Sequence, residues 1–323
     1  MRFFIASLLA LSLQTVPTEA DEPIEWQHKI GADHPLAGTI LRVDDQATVT
    51  LDALITAAAA ADWLIIGERH DNRDHHLLQA LIIEAVHDRD SRSRPVAFEM
   101  LDSAQQELVD RHLENNPSDV SGLAQATTWD ESGWPDWQSY EPVFSAAILT
   151  ESPIIAADLT ADQIHAVYQE GASGFADDFL RGSGLDRALP EPLEKALQDE
   201  IETAHCGVVP RAQLTPMVEV QRARDAMLAH RLVIGAVQAG GILIAGNGHA
   251  RRDRGVPWYL DHLRPDDRVL SIGLVEVDAD IETRLGDMPF DYVWLTPRAD
   301  DVDPCEAFKD SLKTMSREPG TDE

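Results

Sequence analysis

The sequence predicts an α/β protein with a mainly parallel central sheet flanked by helices. Three observations predict it. Short unbroken apolar runs rich in β-branched residues recur along the chain, as in Trp63-Leu64-Ile65-Ile66, Ile154-Ile155-Ala156-Ala157 and Gly241-Ile242-Leu243-Ile244. Such runs fit strands buried on both faces. Stretches with helical spacing of apolar residues separate them, so strand, helix and strand make βαβ units. Several of the runs close on a glycine or a carboxylate, at the sheet edge where open α/β folds place their ligands.

The elements follow in order. Gly38 to Val43 reads as a first edge strand and Leu51 to Ala61 as an alanine-rich helix. Asp62 to Ile66 is the organising strand. It is followed by Gly67-Glu68-Arg69-His70-Asp71-Asn72 and Asp74-His75-His76, the densest set of ligand-type side chains in the chain. His75 to His87 forms a helix with Leu78, Leu81, Ile82, Ala85 and Val86 on one face. Arg94 to Met100 is a second strand, carrying Glu99 to the edge already occupied by Glu68 and His70. A helix from Asp102-Ser103 to Glu114 and an aromatic segment with Trp129, Trp134, Trp137 and Tyr140 come next. The aromatic spacing favours core filling over the wall of a ligand pocket. Glu151 to Leu159 is a third strand ending at Asp158, Ala161 to Glu170 a helix, Gly171 to Gly184 loops, and Glu191 to His205 and Pro216 to Ala239 two more helices. On the last of these Gln221, Arg224 and Asp225 share a face at spacings of three and four, which a solvated charged face also explains. Strands follow at Gly241–Gly246, Arg268–Val277 and Asp291–Leu295, with a short helix at Pro257–Leu263. Helical insertions at 103–150 and 170–240 are expected to form a lid over one domain spanning 21–300, with a charged tail at 301–323.

Met1-Arg2, the apolar run Phe3 to Leu13 and small residues before Asp21 have the layout of a secretory signal cleaved near Ala20. An exported, periplasmic protein is expected, without a membrane span after cleavage. The formal net charge is −31, which opposes nucleic acid and anionic membranes as partners. Cys206 and Cys305 allow one disulfide. Cys206 beside His205 is equally a local ligand or a small buried residue.

Two strands end alike, in Gly67-Glu68-Arg69-His70 and Gly246-Asn247-Gly248-His249. Glycine permits a tight turn at each strand end, and the histidines then reach across the sheet. His70 and His249, with Glu68, Glu99 and Asp158, suit a divalent metal (His70, Glu99 and His249 as ligands) or acid/base chemistry. His75 and His76 open a helix and read as solvated or supporting. Ala250-Arg251-Arg252-Asp253-Arg254 is a basic patch in an acidic chain.

These residues resemble the ChaN-like haem-binding uptake family. The likeness is carried by the 67–76 segment, Val96-Ala97-Phe98-Glu99-Met100, Trp137-x-x-Tyr140-x-Pro142, His205-Cys206-Gly207, Met217-x-x-x-Gln221-x-x-Arg224-Asp225, Gly246-Asn247-Gly248-His249 and Gly255-Val256-Pro257. It implies haem binding linked to iron uptake, a tyrosine on ferric iron, and haem pairs held face to face in a homodimer. On that basis Tyr140, in the aromatic segment, ranks first as ligand and Tyr259 second. Arg251 and Arg252 are expected to meet the propionates. The wider superfamily includes Tiki metalloproteases and erythromycin esterases, and His70, Glu99 and His249 match its strand-end histidines and glutamate. That keeps open a metal-dependent or His/Glu hydrolase of peptide or ester bonds, in which His70 or His249, supported by Glu68 and Glu99, is catalytic. An exported interaction domain is a third reading.

Overall fold

The computed structural model describes residues 24–90, 92–236 and 240–307. The expected signal segment and the tail beyond residue 307 lie outside them. Eight strands form one sheet: β1 (Ile40–Arg42), β2 (Ala47–Val49), β3 (Trp63–Glu68), β4 (Val96–Asp102), β5 (Ile154–Asp158), β6 (Gly241–Gly246), β7 (Val269–Glu276) and β8 (Tyr292–Thr296). Their spatial order is β2-β1-β8-β7-β3-β6-β4-β5. From β8 to β5 every pair is parallel, while β1 runs antiparallel to β8 and β2 to β1. The sheet is therefore mixed but mostly parallel, as the sequence predicts. Ile40 to Arg42, expected at an edge, is covered by β2, a short strand of only three residues with little apolar signal.

β3 lies at the centre, paired with β6 and β7, and all six of its residues are buried. Alternation along the strands feeds two cores. Leu64, Ile66, Phe98 and Ile244 face the helices Leu51–Ala60, Arg73–Arg89 and Trp137–Leu149. Trp63, Ile65, Ala97 and Leu243 face the helices Arg211–Gly235 and Val256–Leu263. Each core side chain fully withdrawn from water contributes roughly 1.5–3 kcal/mol, so this two-sided burial is what fixes the strand registers. Register also sets the site. Glu68 pairs with Gly246 across β3 and β6, and Phe98 pairs with Ile244 across β4 and β6. The carboxyl ends of three adjacent strands thus form one rim.

The aromatic segment is mainly core: Trp129 and Tyr140 are almost fully buried, and Phe144 stacks on Phe98 at 4.1 Å. Two helices expected in a lid, Trp137–Leu149 and Arg211–Gly235, are instead the layers packed on the sheet. The 171–184 stretch is not all loop. Asp177–Ser183 is a helix with Asp177 and Asp178 in its first turn, ending on Gly184 at φ 76°. Phe179 and Leu180 pack on the second core, an anchoring too short to show as periodicity. The long helix begins at Arg211 and contains Pro216. A proline lacks one helical N–H, and packing of the rest of the helix outweighs it. Among the described residues no helix is long and apolar enough to cross a membrane. Cys206 and Cys305 form a disulfide with a Cα–Cα distance of 5.7 Å.

Candidate functional site

The rim is built on Glu68, the last residue of β3, 2% exposed. Its Oε1 accepts from the Tyr140 hydroxyl at 2.6 Å and from His70 Nδ1 at 2.9 Å. Its Oε2 lies 3.3 Å from His76 Nε2. His76 Nδ1 is 2.8 Å from Ser139 Oγ, and the His76 and Tyr140 rings lie 4.0 Å apart. Tyr140 and Ser139 arrive on the Trp137–Leu149 helix because that helix packs along Arg73–Arg89. His70 is the open member, with 34% of its side chain exposed and the edge of Trp134 at 4.8 Å.

Glu99 stands at the centre of the second half. Its Oε2 accepts the Gly246 N–H at 2.7 Å and its Oε1 accepts from Arg224 Nη2 at 2.7 Å. His249 Nε2 lies 3.3 Å from Glu99 Oε1, and His70 Nε2 3.9 Å from the same atom. The structure therefore places His70 and His249 on either side of one carboxylate. Arg224 also donates Nε to Asp158 at 3.0 Å, and His249 Nδ1 meets Asp225 Oδ1 at 2.7 Å. Gly246 ends strand β6 and caps the short helix Asn247–Ala250, with φ −59°, which any residue can adopt. Its role is room, since a Cβ there would come within 2.7 Å of His70 Nε2. Gly67 is similar: a Cβ would strike the Asn247 side chain and approach Ala250 Cβ at 2.7 Å. The glycines serve close approach, which corrects the expected tight turns.

Burial opposes charge on every group here, and the neighbours decide each outcome. Burial would raise Glu68, but His76 and His70 hold it well below the usual carboxylate range. Burial likewise opposes the Glu99 carboxylate, and His249, His70 and Arg224 hold it low. Burial would neutralise His249, yet Glu99 and Asp225 push its pKa up to about 10. His70 is also raised against its burial, by the charge of Glu99 and its bond to Glu68. Burial pushes Asp225 up to about 6, with His249 working against it. Tyr140 is driven far above its ordinary value by burial and by Glu68. The rim is a charged network, and His70 is its solvent-exposed member.

That network corrects several expectations. Glu99 already accepts from Gly246 and Arg224 and faces His249, whose pKa Glu99 and Asp225 raise. His70, Glu99 and His249 do not make a metal cage, and no group of three or more potential ligands forms one among the described residues. Tyr140 and Tyr259 are both fully buried. Tyr140 donates to Glu68, and Tyr259 belongs to the second core beside Trp258. Arg251 pairs with Asp253 at 2.7 Å. Arg252 reaches the amino end of β7, donating to the Val269 carbonyl at 2.7 Å, at the opposite edge of the sheet from His70. His75 and His76 are buried, not solvated. His75 Nδ1 accepts from the Arg69 N–H at 2.8 Å, and burial lowers its pKa to about 3.

Arg224, Asp225 and His76 are the residues that sequence reasoning set aside. The i, i+3, i+4 face of Gln221, Arg224 and Asp225 carried the signal, but a solvated helix gives the same pattern.

Arg224 also divides two cavities. One, of about 440 Å³, lies over Glu99, Asp158 and Trp134. The other, of about 490 Å³, is largely apolar, with Ile164, Tyr168, His205, Met217 and Val220 in its wall and Gln221 and Arg224 at its polar side. Three helices line it: Ala161–Glu170 and Glu191–Ala204, each packed on the long Arg211–Gly235 helix.

A family model described as haem-binding uptake, Tiki superfamily, ChaN, matches residues 54–260. A structure of ChaN of Campylobacter jejuni, described as showing cofacial haem binding, is similar at a TM-score of 0.62 and 24% identity, covering 79% of this chain and 95% of that one. At that identity the likeness establishes the fold. The type III effector HopBA1 aligns at a TM-score of 0.42 and 13% identity, covering 82% of this chain and 99% of that one, too distant to argue from. No curated protein matches the chain.

Proposed function

This chain belongs to the haem-binding uptake family ChaN of the Tiki superfamily, and from that premise we propose that it is an exported haem-binding protein serving haem or iron uptake in the periplasm. The observation that carries the reading is the apolar cavity between three helices. Its volume, about 490 Å³, falls in the range of small-molecule sites, about 300–1,000 Å³. Its donors are of the right chemistry for haem: a phenol, imidazoles and a thioether set in an apolar wall. Tyr168, half-buried on that wall, replaces Tyr140 and Tyr259 as the phenolate for ferric iron. Bound haem supplies an iron open to such ligands, and the chain's part is to exclude water and hold the ring. The disulfide supports export, because such bonds persist in oxidising compartments. Two copies closing over paired haems is the assembly this reading predicts.

Ferric haem added to the purified protein is expected to give a Soret shift, weakened in Tyr168→Phe. No shift at micromolar haem sinks the reading. The mass of the loaded protein tests the dimer.

A second reading is favoured by one observation. His70 is solvent-accessible beside a buried carboxylate–imidazole network in which Asp225 orients His249, the layout of a general acid/base site. It predicts hydrolysis of members of a peptide or ester library, lost in His70→Ala. Equal turnover by the variant removes this reading.

A further inference from the structure

We propose that a cavity at the amino edge of the sheet binds a small amphiphilic anion: one carboxylate, phosphate or sulfonate group on an apolar body. The cavity lies at the opposite edge from Glu68, Glu99 and His70 and shares no residue with the three-helix cavity. It is separate from both readings above.

Three observations carry it. First, the space is large enough, at about 520 Å³, within the range of small-molecule sites, about 300–1,000 Å³. It is enclosed where β7 and β8 begin, β1 ends and the helix Leu51–Ala60 passes with Ala57. Second, its walls are of two kinds. Leu270, Met288 and Phe290 make an apolar side. Phe290 is seated by Gly273, where a Cβ would come within 2.6 Å of the ring. The other side carries three guanidiniums, Arg42, Arg252 and Arg268, against two carboxylates, Asp44 and Asp291. In a chain of net charge −31, a cavity with a positive lining is set apart by its sign.

Third, the acids leave one guanidinium over. Arg42 donates Nε to Asp44 at 3.1 Å and to Asp45 at 3.0 Å. Arg252 is fixed in place, with Nη1 donating to the Val269 carbonyl at 2.7 Å and to Asp291 at 3.3 Å, and Asp261 lies 3.6 Å from Nη2. Arg268 is exposed, and among the described residues its side chain meets no carboxylate. Its backbone is nonetheless pinned. The Arg268 N–H donates to Asp62 Oδ2 at 2.8 Å, and its carbonyl accepts the N–H groups of Asp62 and Trp63 at 2.9 and 3.0 Å. A guanidinium fork matches a carboxylate or phosphate in two parallel hydrogen bonds. The body of the ligand then displaces water from Leu270, Met288 and Phe290, which an inorganic anion cannot do.

The test uses the full chain and anilinonaphthalene sulfonate, an aromatic sulfonate that reports apolar surface, read by its fluorescence. Saturable binding is expected. Arg268→Gln should weaken it about tenfold, the size of one lost charge-assisted hydrogen bond, and Arg268→Lys should restore part of the loss. Arg268 is exposed, so neither change disturbs the core. Ala57→Trp fills the space without altering its charge and should abolish the same binding. Dodecanoate and naphthoate, added as competitors, distinguish a fatty acyl source from an aromatic acid by which of them displaces the probe. Inorganic phosphate should need a concentration at least about tenfold higher, because it leaves the apolar wall unused. Equal potency of phosphate would overturn the amphiphile class. No saturable binding, or binding unchanged in both Arg268→Gln and Ala57→Trp, would overturn the site. The Soret shift of added ferric haem should be the same in these variants as in the wild type. A shift lost with the probe would make this cavity the haem site and end its separate role.

Discussion

Replacing Glu99 by glutamine tests whether the rim is a linked charge network. The amide keeps an acceptor for the Gly246 N–H but removes the charge shared by Arg224 and His249. Taking one partner from a buried ion pair costs about 3–5 kcal/mol. Arg224 keeps Asp158 and His249 keeps Asp225, so the loss should fall near about 3 kcal/mol. The variant should also change the pH profile. His249 is raised from 6.5 to about 10 in the folded chain. A group raised on folding contributes stability fully present below its unfolded pKa and lost as pH rises through its folded one. One such proton gives a slope of about 1.4 kcal/mol per pH unit within that window. Asp225, raised from 3.8 to about 6, acts in the same sense at lower pH and leaves the upper window to histidine. Urea unfolding at intervals from pH 7 to pH 10 should therefore show the wild type weakening as pH rises, with Glu99→Gln flatter over the same range. A wild-type profile that stays level or climbs would refute the reasoning, as would an unchanged slope in the variant.

The remaining predictions are simpler. Gly246→Ala presses a methyl against the His70 ring, so it should cost about 1–3 kcal/mol in chemical unfolding, the usual toll of overpacking, and alter the His70 imidazole resonances in NMR. Tyr140→Phe leaves Glu68 short of a donor and should lower stability by about 1–3 kcal/mol while leaving the Soret band of added haem in place; a lost band would restore Tyr140 as a ligand. Cys206→Ser should destabilise the oxidised protein by about 4 kcal/mol, and reductant should lower the melting temperature of the wild type but not of the variant.

Much of the fold is legible because buried parallel strands announce themselves. β3, β5 and β6 are unbroken apolar runs whose ends bring Glu68, Asp158 and Gly246 to one rim, and β4 adds Glu99 from within the strand, where its register with β5 shifts after Phe98. What stays hidden depends on packing. Nothing in the spacing of Trp129, Trp134, Trp137 and Tyr140 says that Trp134 and Tyr140 meet His70 while Trp129 and Trp137 stack in the core. Nothing local separates a solvated Arg224 from one aimed at two strand-end carboxylates, because its partners lie 66 and 125 positions away. The basic patch fails for the same reason: Arg252 is close to His249 in sequence but turns under the sheet toward Val269 and Asp291. The cavity lined by Tyr168 is not legible because an apolar space between three helices leaves no trace in any one of them.

The sulfur bridge has one more result. It makes a covalent ring of the segment from 206 to 305, which holds the Arg211–Gly235 helix and strands β6, β7 and β8. A protease that nicks this ring once releases no fragment: the pieces stay joined until a reductant arrives, so a cut band should show on a gel only after thiol treatment. A single clip inside the ring is then a wound and not a severance.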